Sequence, residues 1–124
     1  MSKPSRILVI DDQPNLRLLV SKILEIEGYE VTTAANGDEG VTMAKAQKPD
    51  LILLDVMMPK KNGYQSAAEL NLQKETKAIP IILMTGTTQM VGDGIQLSTS
   101  AVDKLAKPFG KDELINIVKR NLLP

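Results

Sequence analysis

The sequence predicts an α/β domain, a doubly wound parallel sheet covered by helices on both faces. Three observations predict it. Apolar runs of strand length recur at Ile7-Leu8-Val9-Ile10, Leu51-Ile52-Leu53-Leu54 and Ile81-Ile82-Leu83-Met84, with a less apolar one at Val102-Asp103-Lys104-Leu105-Ala106. Amphipathic stretches of helical period lie between such runs, and strands that alternate with helices build a parallel sheet. The length, 124 residues, has room for one domain and not for two.

Taken in order, the first strand runs into Asp11-Asp12. Residues 14–27 then carry Leu16, Leu19, Val20, Ile23 and Leu24 at helical spacing, with Pro14 in the first turn, where a missing N–H is harmless, and Gly28 as a stop. Residues 30–34 read as the second strand and 38–47 as a helix carrying Val41, Met43 and Ala44, ended by the breaker Lys48-Pro49. The third strand ends at Asp55. Pro59, Asn62 and Gly63 make a loop before a helix near 64–74, and Ile79-Pro80 leads into the fourth strand. Gly92 and Gly94 interrupt 88–98, each costing a helix about 1 kcal/mol against alanine, so a short or irregular helix is expected there. The last helix, 111–122, places Leu114, Ile117 and Val118 on one face, with Gly110 and Glu113 at capping positions.

Composition removes whole classes of chemistry. Hydrophobic residues make up 43% but aromatics only 2%, so the core is aliphatic and base stacking is poorly supplied. Fifteen basic residues balance fifteen acidic ones, and no Lys/Arg cluster exceeds Lys60-Lys61, which leaves no electrostatic footprint for nucleic acid or an anionic membrane. Without cysteine or histidine there is no disulfide, thiolate zinc site, imidazole ligand or histidine-based triad. Any metal must be held by oxygen. No apolar run reaches the length of a signal-peptide core or a membrane span, so the chain is expected to be cytoplasmic.

The four apolar runs end on Asp11-Asp12, Asp55, Thr85 and Lys107-Pro108. If the strands are parallel neighbours, these ends share the sheet edge where open α/β folds bind ligands. Three carboxylates, a hydroxyl and an ammonium then face one crevice. A carboxylate can attack phosphorus to give an acyl phosphate once the repulsion between the two anions is neutralised. Magnesium meets that need with oxygen ligands, and Asp12 and Asp55, helped by Asp11, suit it. Lys107 adds a second positive charge and Thr85 a hydroxyl donor. Gly86 keeps the backbone beside them open. Each residue also has an ordinary use: Asp11-Asp12 as the cap of the first helix, Asp55 as a solvent-facing strand end, Thr85 as a turn former and Lys107-Pro108 as a strand stop. Burial of at least one of Met57 and Met58 as a gap-filler is the default. The joint pattern, rather than any one residue, favours the site.

These residues carry a resemblance to the receiver domain of two-component response regulators, over essentially the whole length. The matching elements are Asp11-Asp12, Asp55 within Asp-Val-Met-Met-Pro, Asn62-Gly63, Thr85 and Lys107-Pro108-Phe109. The resemblance implies a five-stranded, flavodoxin-like (CheY-like) sheet with five helices, forming a single receiver domain over 1–124 with no output domain. It further implies Asp55 as the acceptor of a phosphoryl group from phosphohistidine. Asp11, Asp12, Asp55 and the backbone carbonyl of Met57 would surround Mg2+, Thr85 would turn toward the phosphoryl group, and the Lys107-Pro108 bond would be cis. The implied partners are a sensor histidine kinase or histidine phosphotransfer protein and a downstream protein, without direct nucleic-acid or membrane binding, the chain being a monomer or weak homodimer. It would catalyse only its own phosphorylation and dephosphorylation.

Two positions depart from the family. Lys104 stands where an aromatic residue usually changes exposure during switching, and Ser100 replaces a common glycine. A receiver-like interaction module not regulated by phosphorylation is therefore the competing expectation. An aspartate-nucleophile phosphatase would need Asp-x-Asp rather than Asp11-Asp12-Gln13. Flavin binding fits poorly with an acidic first loop.

Overall fold

A computed structural model describes residues 3–57, 63–86 and 101–122. In chain order these form β1 (Arg6–Ile10), α1 (Pro14–Ile26), β2 (Glu30–Ala34), α2 (Gly37–Gln47), β3 (Leu51–Asp55), α3 (Gly63–Leu72), β4 (Ile81–Gly86), β5 (Ala101–Lys107) and α4 (Lys111–Asn121). The sheet is five-stranded and parallel, in the order β2-β1-β3-β4-β5. Four helices occur among the described residues, where five were expected. The helix expected over 88–98, the loop residues Pro59 and Asn62, Met58 and Ser100 lie outside the described residues.

Period-two alternation splits the core in two. Leu8 and Ile10 of β1, Ile52 and Leu54 of β3, and Ile81 and Leu83 of β4 pack with Val41 and Ala44 of α2 and with Ala67 and Leu70 of α3. The intervening residues Ile7, Val9, Leu51, Leu53, Ile82 and Met84 pack on the other face with Val20 and Leu24 of α1 and Leu114, Ile117 and Val118 of α4. Strands buried on both faces need apolar residues at every position, which is why the runs read as continuous rather than alternating. Tyr29, Tyr64 and Phe109 sit only at the margins, partly buried.

The helix ends show local chemistry. Gln13, not Asp11 or Asp12, is the N-cap of α1, and its side chain makes no capping bond. The acids do not cap because Asp11 is already committed: its Oδ1 accepts from the Gln13 N–H at 2.9 Å, folding the loop just before the helix. Gly28 follows α1 at φ +99°, the left-handed geometry that glycine adopts without a Cβ penalty. Asn36 caps α2 through a bond from the Glu39 N–H to Oδ1 at 2.9 Å, and α2 therefore starts at Gly37, one residue before the expected boundary. Lys48, held out of the right-handed region by Pro49, ends α2 in the left-handed region at φ 49°. Helix α3 stops at Leu72, two residues early, where the buried Thr76 hydroxyl donates to the Leu70 carbonyl at 2.6 Å and satisfies a helix-end acceptor. At α4, Glu113 Oε1 accepts from the Gly110 N–H at 2.8 Å; glycine has no side chain for the reciprocal bond.

Candidate functional site

The chain reverses direction across the sheet between β1 and β3, because α1 leads outward to β2 on one side and α3 to β4 on the other. Ligand crevices of open α/β sheets form at such a switch point, beyond the carboxyl ends of the strands. Ile10 pairs with Leu54, so the next residues, Asp11 and Asp55, leave the two central strands at the same level. Asp55 pairs with Met84 and Gly86 with Lys107, which brings Thr85 and Lys107 to the same edge. Gly63 permits this closeness from below. A Cβ there would press against the Asp55 carbonyl oxygen and lie 2.6 Å from Val56 Cα, and the Gly63 N–H donates to the Val56 carbonyl at 3.0 Å.

Carboxylate oxygens of Asp11, Asp12 and Asp55 lie within 4.8 Å of one another. Asp11 is 0% and Asp55 3% exposed, while Asp12 sits half-buried at the mouth. Lys107 Nζ reaches both buried acids, at 3.2 Å from Asp11 Oδ2 and 3.2 Å from Asp55 Oδ1. Asp55 Oδ1 also accepts from the Met57 N–H at 3.2 Å. Burial and the neighbouring Asp11 push the Asp55 carboxyl above the usual range, against the lowering effect of Lys107 and the Met57 N–H. Among the described residues, three carboxyl groups crowd together with a single ammonium in contact with two of them. Hard oxygen donors crowded in this way fit a divalent ion such as magnesium.

The comparisons with known proteins agree with this geometry. The sequence model described as the response regulator receiver domain matches residues 7–119. The chain is a response regulator receiver domain. Protein PilH of Pseudomonas aeruginosa is 36% identical over 114 residues, covering 92% of this chain and 94% of PilH. The DNA-binding dual master transcriptional regulator RpaA of Synechocystis is 40% identical over 115 residues, covering 92% of this chain but 47% of RpaA, so the chain spans about half of that regulator. The chemotaxis response regulator CheY4 of Vibrio cholerae superposes with a TM-score of 0.90 at 32% identity, covering 96% of this chain and 99% of CheY4. The CheY-like fold expected from the sequence is thus the fold of the receiver domain.

Within the receiver domain, every acid, hydroxyl and ammonium singled out from the sequence lies at one edge. Thr85 is buried at the end of β4, and the Lys107-Pro108 peptide is cis. Met57 contributes its N–H to Asp55, while its side chain, 64% exposed, stands outside the core. Lys104 is exposed on β5. A cavity of about 540 Å³ beside Lys107 is lined by Gln13, Leu16, Leu19, Gly86, Pro108 and Phe109. A Cβ on Gly86 would meet open space. Two contributions escaped sequence reasoning. Arg17 donates from Nη1 to the Asp11 carbonyl at 2.7 Å, a contact that helical spacing alone cannot reveal because it depends on how the loop before α1 folds. Leu19, at helical spacing with core residues of α1, is exposed and lines the cavity, and Leu16 lines it while packing, partly buried, against the core. Among the described residues no helix is long and apolar enough to cross a membrane.

Proposed function

We propose that the receiver domain accepts a phosphoryl group on Asp55 from the phosphohistidine of a sensor histidine kinase or histidine phosphotransfer protein, and that the aspartyl phosphate switches binding to a downstream protein. The observation that carries this reading is the meeting of Asp11, Asp12 and Asp55 with Lys107 bridging the two buried acids. Asp11 shares the burial and the contact with Lys107, but both its carboxylate oxygens are engaged, Oδ1 by the Gln13 N–H and Oδ2 by Lys107, whereas the bonds to Asp55 from Met57 and Lys107 both fall on Oδ1, which favours Asp55 as the nucleophile. In the transfer, an Asp55 oxygen forms the bond to phosphorus while the phosphorus–nitrogen bond to the donor imidazole breaks, leaving an acyl phosphate and a neutral imidazole after proton uptake. Asp11, Asp12, Asp55 and the Met57 carbonyl would hold Mg2+, which when bound neutralises charge on the phosphoryl oxygens. Lys107 supplies a further cationic donor to those oxygens, and Thr85 a hydroxyl hydrogen bond. The apolar cavity between α1 and the ends of β4 and β5 gives the phosphodonor protein a place to dock beside the acceptor.

The chain then modifies only itself and turns over no external metabolite. It works in the cytoplasm as a monomer or weak homodimer through protein partners, without touching nucleic acid or membrane itself. Incubation with Mg2+ and acetyl phosphate, followed by intact mass spectrometry, tests the reading. One phosphoryl group should be gained, and Asp55→Asn should gain none. A chain that stays unmodified under these conditions and with candidate kinases is an interaction module that is not regulated by phosphorylation.

A further inference from the structure

Arg17 lies near the start of α1, where the partial positive charge of the helix end favours acids rather than a guanidinium, and the first turn of α1 holds no acid. Helix stability does not account for its placement. The guanidinium instead donates to the carbonyl of Asp11 at 2.7 Å, a short charge-assisted bond to the peptide that joins Asp11 to Asp12. Every other polar group of Asp11 is also engaged. Its N–H donates to the Ala34 carbonyl at 3.1 Å, Oδ1 accepts from the Gln13 N–H at 2.9 Å, and Oδ2 accepts from Lys107 at 3.2 Å. The Arg17 backbone N–H donates to the Gln13 carbonyl at 3.1 Å, the first regular bond of α1, so the guanidinium bond to Asp11 is what the side chain itself adds.

We propose that Arg17 is a positioning residue for the cation site: its bond to the Asp11 carbonyl fixes the peptide between the two acids, and so the direction of both carboxylates, before an ion arrives. The proposal rests on the magnesium reading above. It makes a prediction opposite in sign to simple electrostatics. A nearby positive charge repels Mg2+, so removing a guanidinium that acted only as a charge would tighten binding. Removing a group that orders the ligands weakens binding, since partners that orient metal ligands typically carry about tenfold or more of the affinity.

Calorimetric titration of MgCl2 into the wild-type chain, Arg17→Met and Arg17→Lys tests this. Methionine keeps the aliphatic stem and deletes the donors, and a roughly tenfold weaker affinity is expected. Lysine keeps one cationic donor, and a smaller loss is expected. The melting temperature of the metal-free protein should move little, and the Asp12 amide nitrogen resonance should shift in Arg17→Met, because that amide shares the peptide Arg17 bonds. Wild-type or tighter Mg2+ affinity in both variants overturns the proposal, as does wild-type affinity accompanied by loss of phosphotransfer from a kinase alone, which makes Arg17 a docking contact. If Arg17→Met does not fold, Arg17→Lys decides, weaker binding supporting the proposal and unchanged binding overturning it. A wild-type chain that binds no Mg2+ removes the cation site itself, whereas a binding wild type with unaffected variants removes only the role of Arg17.

Discussion

Met57 stands beside Asp55, the proposed acceptor, and its position bears on the lifetime of the phosphorylated state. Sequence reasoning expected at least one of Met57 and Met58 to be buried. Met58 lies outside the described residues, and Met57 places its N–H on Asp55 but leaves its thioether chain largely in solvent. The reason is positional: β3 ends at Asp55, and Val56, not Met57, turns into the core. An apolar chain standing two residues beyond an acyl phosphate obstructs attacking water without offering it a hydrogen bond. Met57→Asn is expected to lose the phosphoryl group several-fold faster than wild type, measured as decay of the phosphorylated species after the phosphodonor is removed. An unchanged decay rate would show that water reaches phosphorus by another side. At the same scale, Asp11 and Asp55 were legible as site residues because they end apolar runs, and Arg17 was not, because its role depends on a contact outside helical periodicity.

At the scale of elements, the start of α3 lies close against the end of β3. Gly63 begins α3 directly against the backbone that carries Asp55, and backbone atoms cannot rotate out of the way as a side-chain end can. Gly63→Ala is expected to cost about 1–3 kcal/mol, as overpacking does, and to lower Mg2+ affinity by displacing the Asp55 segment. Urea denaturation with and without Mg2+ measures both. At Gly40, by contrast, a Cβ would lie 2.7 Å from Ile10 Cγ1, a side chain, so the neighbour has some freedom to adjust. Element boundaries were read to within two residues where a proline, glycine or cap marks them. The early stop of α3 was missed because the hydroxyl of Thr76, six residues from its acceptor, ends the helix, and no propensity encodes that contact.

For the whole molecule, the acid cluster is expected to make stability depend on pH and, with the proposed Mg2+, on cation. In the metal-free protein the Asp55 carboxyl is raised above its unfolded value of 3.8 by burial and by Asp11, so the folded state binds its proton more tightly than the unfolded one. The stability this gives is fully present below the unfolded pKa and is lost as pH rises through the folded pKa. Asp55→Asn should therefore be more stable than metal-free wild type at pH 7, and the difference should shrink as pH falls toward 3.8. Magnesium should reverse the order. At a hundred times its dissociation constant it adds about 2.7 kcal/mol to wild type by mass action, and much less to the variant. Denaturant melts at pH 7 and pH 4, in EDTA and in excess Mg2+, check each sign. Asp103 works the other way. Although burial raises its carboxyl, bonds from Asn121, Arg120 and the Lys104 N–H hold it below 3.8, so its contribution is lost at still lower pH.

The sequence by itself determined the class of fold and which residues gather at the candidate site. Apolar runs buried on both faces must be strands of a covered parallel sheet, and parallel strands must send their terminal residues to one edge. Only the tertiary structure decided the distances. Strand register set Asp11 level with Asp55, the close approach of Gly63 allowed β3 and α3 to meet, and Lys107 crossed from β5 to bridge two acids 96 and 52 residues away. Such contacts depend on how separate elements pack, and a local pattern carries no information about a partner that far along the chain.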